Sequence, residues 1–444
     1  MQASNYFKTL FTKISLLEIY SNNISYNVAV GVDRINKHSF ESKLDAEIET
    51  INRKTMNNSY DFSFYKEKLI SKGRTKYPRV ISIPTIRDKV TLRALTNLLT
   101  ATFQEKVLNE LVHTTIHSIK TTIESSTYDS FIKIDIKDFY PSLDHDILLK
   151  RIRQKIRKKE IISLIEKAIK QETVSAPKKG LKKYTITKGV PQGLSISNIL
   201  ASIYMMNLDA KYKSKTTFDY YRYVDDILII CNNSDVDEIL KSITKDTSKM
   251  MLEIHELKQG SEKTDAGLLK DGFYYLGYYY KDVFTVRDAS IHRLENSIVN
   301  TFSQYKYAKI KNLNILLWKL NLKITGCKIE GKKYGWLFFF SQIEDIQLLF
   351  KLDRFVQQIF VKFGITRNVD VKSFVRTYHE ILKNRSNTRY IPNFDSYTID
   401  DKKDILVRIY GENIKWFDDE KINQKFNRII YQSVKEMEQD IQKY

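Results

Sequence analysis

Two neighbouring carboxylates, Asp225 and Asp226, sit inside the largely apolar and aromatic, β-rich stretch DYYRYVDDILII, residues 219–230. Flanks of this kind predict a tight hairpin with the acidic pair at its tip. Elsewhere in a buried sheet two such charges would repel each other, at a cost of several kcal/mol. A divalent cation removes that objection. Phosphoryl transfer by paired metal ions needs them ~3.5–4 Å apart, clamping the attacking and leaving oxygens. It also needs a carboxylate from a second strand, and Asp135 supplies one at the end of the alternating run FIKID. A solvated Asp-Asp turn would spell the same four letters YVDD, so the pair acquires meaning only with Asp135. Asp138 and Asp144 fall beyond the strand end and read as a turn or a helix cap.

The surrounding elements can be read from periodicity. Residues 1–70 read as helical, with breaks near Asn22 and Asn57. YPRVISIP (Tyr77 to Pro84) alternates as a strand, and a helix is expected from Asp88 to Thr100. Pro141 and Ser142 are expected to start a basic amphipathic helix carrying Ile147, Leu148, Ile152 and Ile156 on one face. Another helix begins near Ser197 and carries Ile199, Leu200, Ile203 and Tyr204. After about Arg287 the pattern is helical, rich in Lys and aromatics, to the end. The first two thirds therefore mix strands and helices, and the last third reads as α-helical.

Lys and Arg total 73 against 53 Asp and Glu, a net charge of +20 with a pI near 9.4. A polyanion suits such a surface, because each neutralised phosphate releases counterions. A basic protein without a nucleic-acid partner, or one touching anionic membrane, has the same charge. Cys231 and Cys327 are far apart and fit neither a disulfide framework nor a zinc site, which suits a reducing cytoplasmic compartment. No signal peptide is read at the N-terminus. The densest apolar cluster, Trp336 to Phe340, is far short of the ~20 residues a membrane span needs. No membrane association is expected.

Six collinear motifs carry a family resemblance. DIKDFYPSL at Asp135 to Leu143, GVPQGLSISN at Gly189 to Asn198 and YVDD resemble the first three palm motifs of reverse transcriptases. EKT (Glu262 to Thr264) and FYYLGYYY (Phe273 to Tyr280) resemble the fourth and fifth, and YPRVISIP with RDKVTLRAL (Arg87 to Leu95) resembles the fingers segment. Together they span about residues 25–285. The resemblance implies an α+β right-hand polymerase: an N-terminal helical extension at 1–70, fingers and an antiparallel palm sheet at 71–285, and an α-helical thumb at 286–444.

By that resemblance Asp135 and Asp225 would bridge two Mg²⁺ ions (Mn²⁺ being a substitute), with the Ile136 carbonyl as a backbone ligand and Asp226 at the outer position. Tyr140 falls where the family carries an aromatic gate beneath the sugar, which favours dNTPs; a core Tyr is the plainer reading. Arg79 falls where a fingers residue meets the triphosphate, with Arg74 and Lys76 as substitutes. Gln192 can offer amide donors to the incoming nucleotide, and Gly193 can let backbone approach it closely. Lys263 matches the lysine near the pyrophosphate leaving group, with Lys258 as competitor. The basic runs Lys150 to Lys159 and Lys178 to Lys183 are expected to touch the template–primer backbone. Phe273, Leu276 and Gly277 resemble the element that supports the primer end.

Among reverse transcriptases the chain most resembles the bacterial unknown-group and abortive-infection enzymes of antiphage defence, through the segment Ile324 to Asp345. It is related to retron and group II intron enzymes. LVHTTIH (Leu111 to His117) lacks the retron Asn-Ala pair, and Ile324-Thr325-Gly326 stands in place of the retron Val-Thr-Gly. The implied partners are an RNA template, a non-coding RNA in the defence reading, with dNTPs and a DNA product. Oligomeric state is not read from the sequence. Untemplated or protein-primed DNA synthesis, a retron-type enzyme and a catalytically silent nucleic-acid binder are the alternatives. An RNA-dependent RNA polymerase is disfavoured by Tyr140 and the YVDD turn.

Overall fold

The structure is a computed structural model and describes all residues except 1, 26–28, 72, 74–76, 108–110, 176–185, 366–369, 385–387 and 442–444. The chain divides into two compact units, Met1–Glu110 with Ser130–Ala266, and Leu111–Asp129 with Gly267–Tyr444.

The first unit carries two sheets. The smaller pairs β1 (Tyr65–Ile70) antiparallel with β2 (Arg79–Ile83) and parallel with the short β4 (Thr173–Val174). The larger contains β3 (Ser130–Asp135), β5 (Phe218–Tyr223), β6 (Asp226–Cys231) and the first residues of β7 (Asp265–Leu268), in the order β5-β6-β3-β7. Strand β3 is buried along its whole length and runs antiparallel to β6. Its apolar face is covered by a core that includes Ile132, Ile134, Ile227 and Ile229 with Leu200, Ile203 and Tyr204 of the helix Ser197–Lys213. That apolar content explains why residues with high β propensity lie in the middle of the sheet.

The helix Ile86–Phe103 begins at a buried acidic knot. Thr85 caps it, and the Asp88 carboxylate accepts from Tyr60 Oη at 2.7 Å, Thr85 Oγ1 at 2.8 Å and the Ser63 N–H at 3.1 Å. Burial lifts the Asp88 pKa to about 6. The knot ties the segment before β1 to this helix.

Three expectations need correction. Residues 65–70 form β1, not helix, because Tyr65 and its neighbours find strand partners distant in sequence. The basic helix starts at His145, not Pro141: Asp144 accepts the Ile147 N–H at 2.9 Å and acts as its N-cap, and Phe139–Ser142 is a separate single turn. That helix ends at Arg153, before Ile156. The last third is not wholly helical.

The second unit holds the strands β8 (Phe273–Tyr275), β9 (Tyr278–Lys281) and β10 (Val283–Val286), in the order β10-β9-β8. Leu276 and Gly277, with φ of 49° and 82°, form the tight turn between β8 and β9. Long helices follow at Asp288–Lys306, Leu313–Thr325, Ile346–Lys362, Phe374–Lys383 and Asp419–Ile441. Between the second and third of these lies a hairpin of β11 (Cys327–Ile329) and β12 (Lys332–Tyr334). Gly326 permits it: a Cβ there would lie 2.1 Å from the Tyr334 carbonyl oxygen, at a φ of 66°. The helix Val112–Ser125 belongs to this unit, where Lys120 pairs with Glu344 at 2.7 Å.

Among the described residues no helix is long and apolar enough to cross a membrane.

Candidate active site

The β5–β6 hairpin turns at Val224 and Asp225, with Tyr223 and Asp226 paired across it. Val224 has a φ of 56°. A β-branched residue in that region is a backbone outlier, held only when its surroundings over-determine it. Arg222 is part of what holds it. Its Nη1 donates to the Val224 carbonyl at 2.8 Å, while Nε and Nη2 donate to the Asp209 carboxylate at 2.7 and 2.6 Å. Both side chains are almost fully buried, and Tyr220 Oη donates to the same carboxylate at 3.0 Å. The turn is thereby tied to the C-terminal half of the helix Ser197–Lys213.

Antiparallel register puts Asp135 of β3 directly opposite Asp226 of β6. Residues facing each other across such a pair share a face of the sheet. Asp225 is one residue away at the tip. Burial pushes the Asp225 pKa up, and the Asp135 charge pushes it further, against smaller opposing fields from Lys263 and Arg79. Burial lifts Asp226 to about 7; Lys133 opposes this, and Asp225 and Asp135 add to it.

The segment Glu262–Thr264 grips β3 through three successive residues. The Glu262 carbonyl accepts from Lys133 Nζ at 2.6 Å, Lys263 Nζ contacts the Asp135 carboxylate, and Thr264 Oγ1 accepts the Asp135 N–H at 3.3 Å. Past the strand, Lys137 N–H donates to the Glu253 carbonyl at 2.7 Å and His255 N–H to the Asp135 carbonyl at 3.0 Å. These bonds flank Ile136, whose own carbonyl lies outside that ladder. His255 Nε2 is 3.9 Å from Asp135 Oδ1. Lys258 is engaged differently: its backbone N–H donates to the Thr264 carbonyl.

As the side chains stand, no three Asp, Glu, His or Cys groups converge into a ready metal site among the described residues. The donor chemistry nevertheless fits a hard divalent ion. The candidate ligands are all oxygens, from two adjacent strands and one turn, and their surroundings disfavour the charge on Asp225 and Asp226.

Tyr140 is half-buried against the core beside these carboxylates. Burial, with a contribution from Asp225, lifts its phenol to about 12, so it stays a hydrogen-bond donor at any working pH. Arg79, exposed at the start of β2, adds its field to both Tyr140 and Asp225. Arg74 and Lys76 lie outside the described residues.

Gln192 contributes its backbone: its carbonyl accepts the Ser82 N–H of β2 at 2.7 Å. The close approach at Gly193 is also to β2. A Cβ there would lie 2.6 Å from Ile81 Cγ2 and 3.1 Å from the Ser82 carbonyl, at a φ of 98°. The first unit therefore gathers Asp135, Ile136, Asp225, Asp226, Tyr140, Arg79, Gln192, Gly193 and Lys263 around one end of β3 and β6 and the adjoining β2. Phe273, Leu276 and Gly277 belong to the second unit.

The basic run Lys150–Lys159 is not one uniform surface. Arg151 is buried with its guanidinium 5.1 Å from the Tyr204 ring, Lys155 donates to the Thr102 carbonyl and Lys158 pairs with Glu160. Arg153, Arg157 and Lys159 remain exposed, along a cleft shared with Asn58 and Ser163. Lys178 to Lys183 lie outside the described residues.

Four residues that the motifs do not mark as functional support the site: Asp209, Arg222, Thr264 and Asn198. An Asp in the apolar run of a buried helix, with an Arg in the apolar strand that follows, is the signal for the first two. Asn198 accepts the Tyr140 hydroxyl at 2.6 Å. Nothing in its spacing announces that bond.

Residues 68–280 match the family described as reverse transcriptase (RNA-dependent DNA polymerase). Protein YkfC of Escherichia coli is 23% identical over 341 residues, covering 66% of this chain and 85% of that protein. The group II intron-encoded protein LtrA of Lactococcus lactis is 26% identical over 170 residues, 35% of this chain and 27% of LtrA. The chain thus spans about a quarter of the intron-encoded relative. The solved structure of apo telomerase from Candida tropicalis aligns with 82% of this chain and 72% of its own at 16% identity and a TM-score of 0.44.

Proposed function

From the premise that this chain is a reverse transcriptase related to the group II intron enzymes, an RNA-directed DNA polymerase of right-hand fold, we propose that it adds dNTPs by two-metal phosphoryl transfer at Asp135, Asp225 and Asp226. One observation carries this reading. Three carboxylates share one end of β3 and β6, and burial and mutual repulsion there outweigh the nearby cations at Asp225 and Asp226. A scaffold gains nothing from that arrangement, and a cation-dependent site needs it.

Asp135 and Asp225 would hold Mg²⁺ between them, with the Ile136 carbonyl and Asp226 completing the protein's share. Such ions, when bound, activate the primer hydroxyl and offset charge on the leaving pyrophosphate. The chain's own residues do the rest. Arg79 pairs with the triphosphate. Tyr140 lies beneath the sugar and excludes a 2′-hydroxyl. Gln192 and Gly193 shape the nucleotide's floor through their hold on β2, and Lys263 stands where pyrophosphate leaves.

The biological setting is part of the same proposal. The template is a non-coding RNA and the role antiphage defence in the cytoplasm, on the strength of the Ile324–Asp345 resemblance. The net charge of +20 suits a polyanionic partner.

The test is to purify the protein with its flanking locus, sequence the nucleic acid that accompanies it, and supply labelled dNTPs or NTPs with Mg²⁺. The Asp225→Ala/Asp226→Ala protein runs alongside. The expected result is labelled DNA complementary to a defined RNA, lost at least ~10³-fold in the double variant, which still folds and retains RNA. Synthesis by the double variant sinks the assignment of the carboxylates. Cells carrying the locus should survive phage challenge better than cells carrying the double variant; equal survival removes the defence role.

A further inference from the structure

Tyr140 is fixed at both ends. Its backbone carbonyl accepts the Val190 N–H at 2.9 Å, and its phenol hydroxyl donates to Asn198 Oδ1 at 2.6 Å. Phe139 packs edge-on against the ring, with centroids 5.6 Å apart and planes at 61°. Asn198 stands in the first turn of the helix Ser197–Lys213, whose start is anchored where Ser197 Oγ donates to the Pro191 carbonyl at 2.6 Å. The far tip of the Tyr140 ring is therefore bonded to the motif after the Pro-Gln-Gly turn, not to its own loop.

A gate residue discriminates by the free energy needed to move it aside. An aromatic side chain turns about two torsions, and its hydroxyl end sweeps the widest arc. A hydrogen bond at that end opposes the swing more effectively than packing near Cβ.

We propose that Asn198 is a specificity-determining residue: its side-chain oxygen pins the Tyr140 phenol, so that the ring does not yield to the 2′-hydroxyl of a ribonucleotide. This rests on the reading of Tyr140 as the sugar gate. Sugar selection then belongs to a pair, with the ring supplying bulk and Asn198 supplying stiffness.

The experiment measures kcat/KM for a dNTP and for the matching NTP on one template, and reads their ratio. Both substrates carry the same triphosphate, so effects on triphosphate binding cancel. Tyr140→Phe and Asn198→Val remove the same bond from opposite sides. Each is expected to lower the ratio about 3- to 10-fold, the worth of one neutral hydrogen bond, and the double variant to lower it no further than either alone. Asn198→Asp keeps an acceptor and should hold the ratio within about twofold of the parent. Tyr140→Val, which removes the bulk, should lower it most.

If Tyr140→Phe and Asn198→Val keep the parental ratio while Tyr140→Val collapses it, the gate stands and the role of Asn198 is overturned. If Tyr140→Val also leaves the ratio unchanged, the gate reading itself fails and the pairing with it. Tyr140→Phe breaks the bond without altering Asn198, so the role of Asn198 is tested even where the Asn198 variant does not fold.

Discussion

One hairpin carries two acidic groups treated in opposite ways. Behind the β5–β6 turn, Asp209 is sealed from solvent and accepts from Arg222 Nε, Arg222 Nη2 and Tyr220 Oη. At the front, Asp225 and Asp226 are only half-buried, yet their surroundings push both pKa values upward. A planar guanidinium matches a carboxylate with two parallel bonds, so the rear pair is both neutral and stiff. In the proposed mechanism, the front group is the one that would take a divalent cation. The contrast teaches where the fold makes its charge compensation strongest: at the support of the turn, where a buried two-bond pair holds Asp209, and only in part at Asp225 and Asp226, whose surroundings still push their pKa values up.

The largest effect should come from breaking the rear pair. Asp209→Ala leaves a buried guanidinium without its carboxylate, and should cost ~3–5 kcal/mol of stability in denaturant unfolding. It should also reduce DNA synthesis, because the same guanidinium bonds the Val224 carbonyl beside Asp225. Asp225→Asn should leave stability unchanged or raised while synthesis is lost. If both variants unfold at the same denaturant concentration, the two acidic groups are not built differently and the comparison fails.

A mid-sized effect is expected from Asp226→Asn, and its size depends on pH. In the metal-free fold the Asp226 pKa is raised from 3.8 to about 7. The folded state therefore holds this proton more tightly than the unfolded chain does. That contribution is fully present below the ordinary carboxylate range and is lost as pH rises through about 7. Asp226→Asn should then stabilise the metal-free protein at pH 8, on the order of 2 kcal/mol. The gain should shrink below pH 7 and vanish near the ordinary carboxylate pKa. Thermal melts in a chelator across that range check this, and a pH-independent difference would show that Asp226 is not held against its charge.

Much of this site is legible in the sequence because it is local. Alternation in FIKID and the β-rich flanks of YVDD give β3, β5 and β6, and the acidic residues mark where strands meet the turn. The Asp135–Asp226 register follows once a pattern of period two must bury one face. What stays hidden is non-local or depends on polar geometry. Strand β1 looks helical until β2 and β4 are beside it. The helix Val112–Ser125 leaves the first unit for the second, which no neighbouring residue announces. The Asp209–Arg222 pair spans a helix and a strand, and its meaning comes from burial. Gly193 suggests freedom near a nucleotide, but the approach it permits is that of β2.

The smallest expected effect is the sharpest test of the boundary between the two kinds of acid. Asp135 lies at the front, yet Lys263 Nζ contacts its carboxylate. If that lysine were a permanent counter-ion, Asp135 would belong with Asp209. Exposure argues otherwise: the Lys263 side chain is 47% exposed, whereas the Arg222 side chain is 2% exposed. A flexible, half-solvated ammonium contributes no more than ~1 kcal/mol, screened further by salt, and it can release the carboxylate to a divalent ion. Lys263→Met should therefore change stability by less than ~1 kcal/mol, well below Asp209→Ala. At low ionic strength it should tighten Mn²⁺ binding, followed by the electron paramagnetic resonance of the free ion, because a competing positive charge is gone. Unchanged Mn²⁺ affinity would show that this ammonium does not compete with a cation at Asp135, whereas a stability loss as large as that of Asp209→Ala would move Asp135 to the permanently compensated group and leave only Asp225 and Asp226 for a cation.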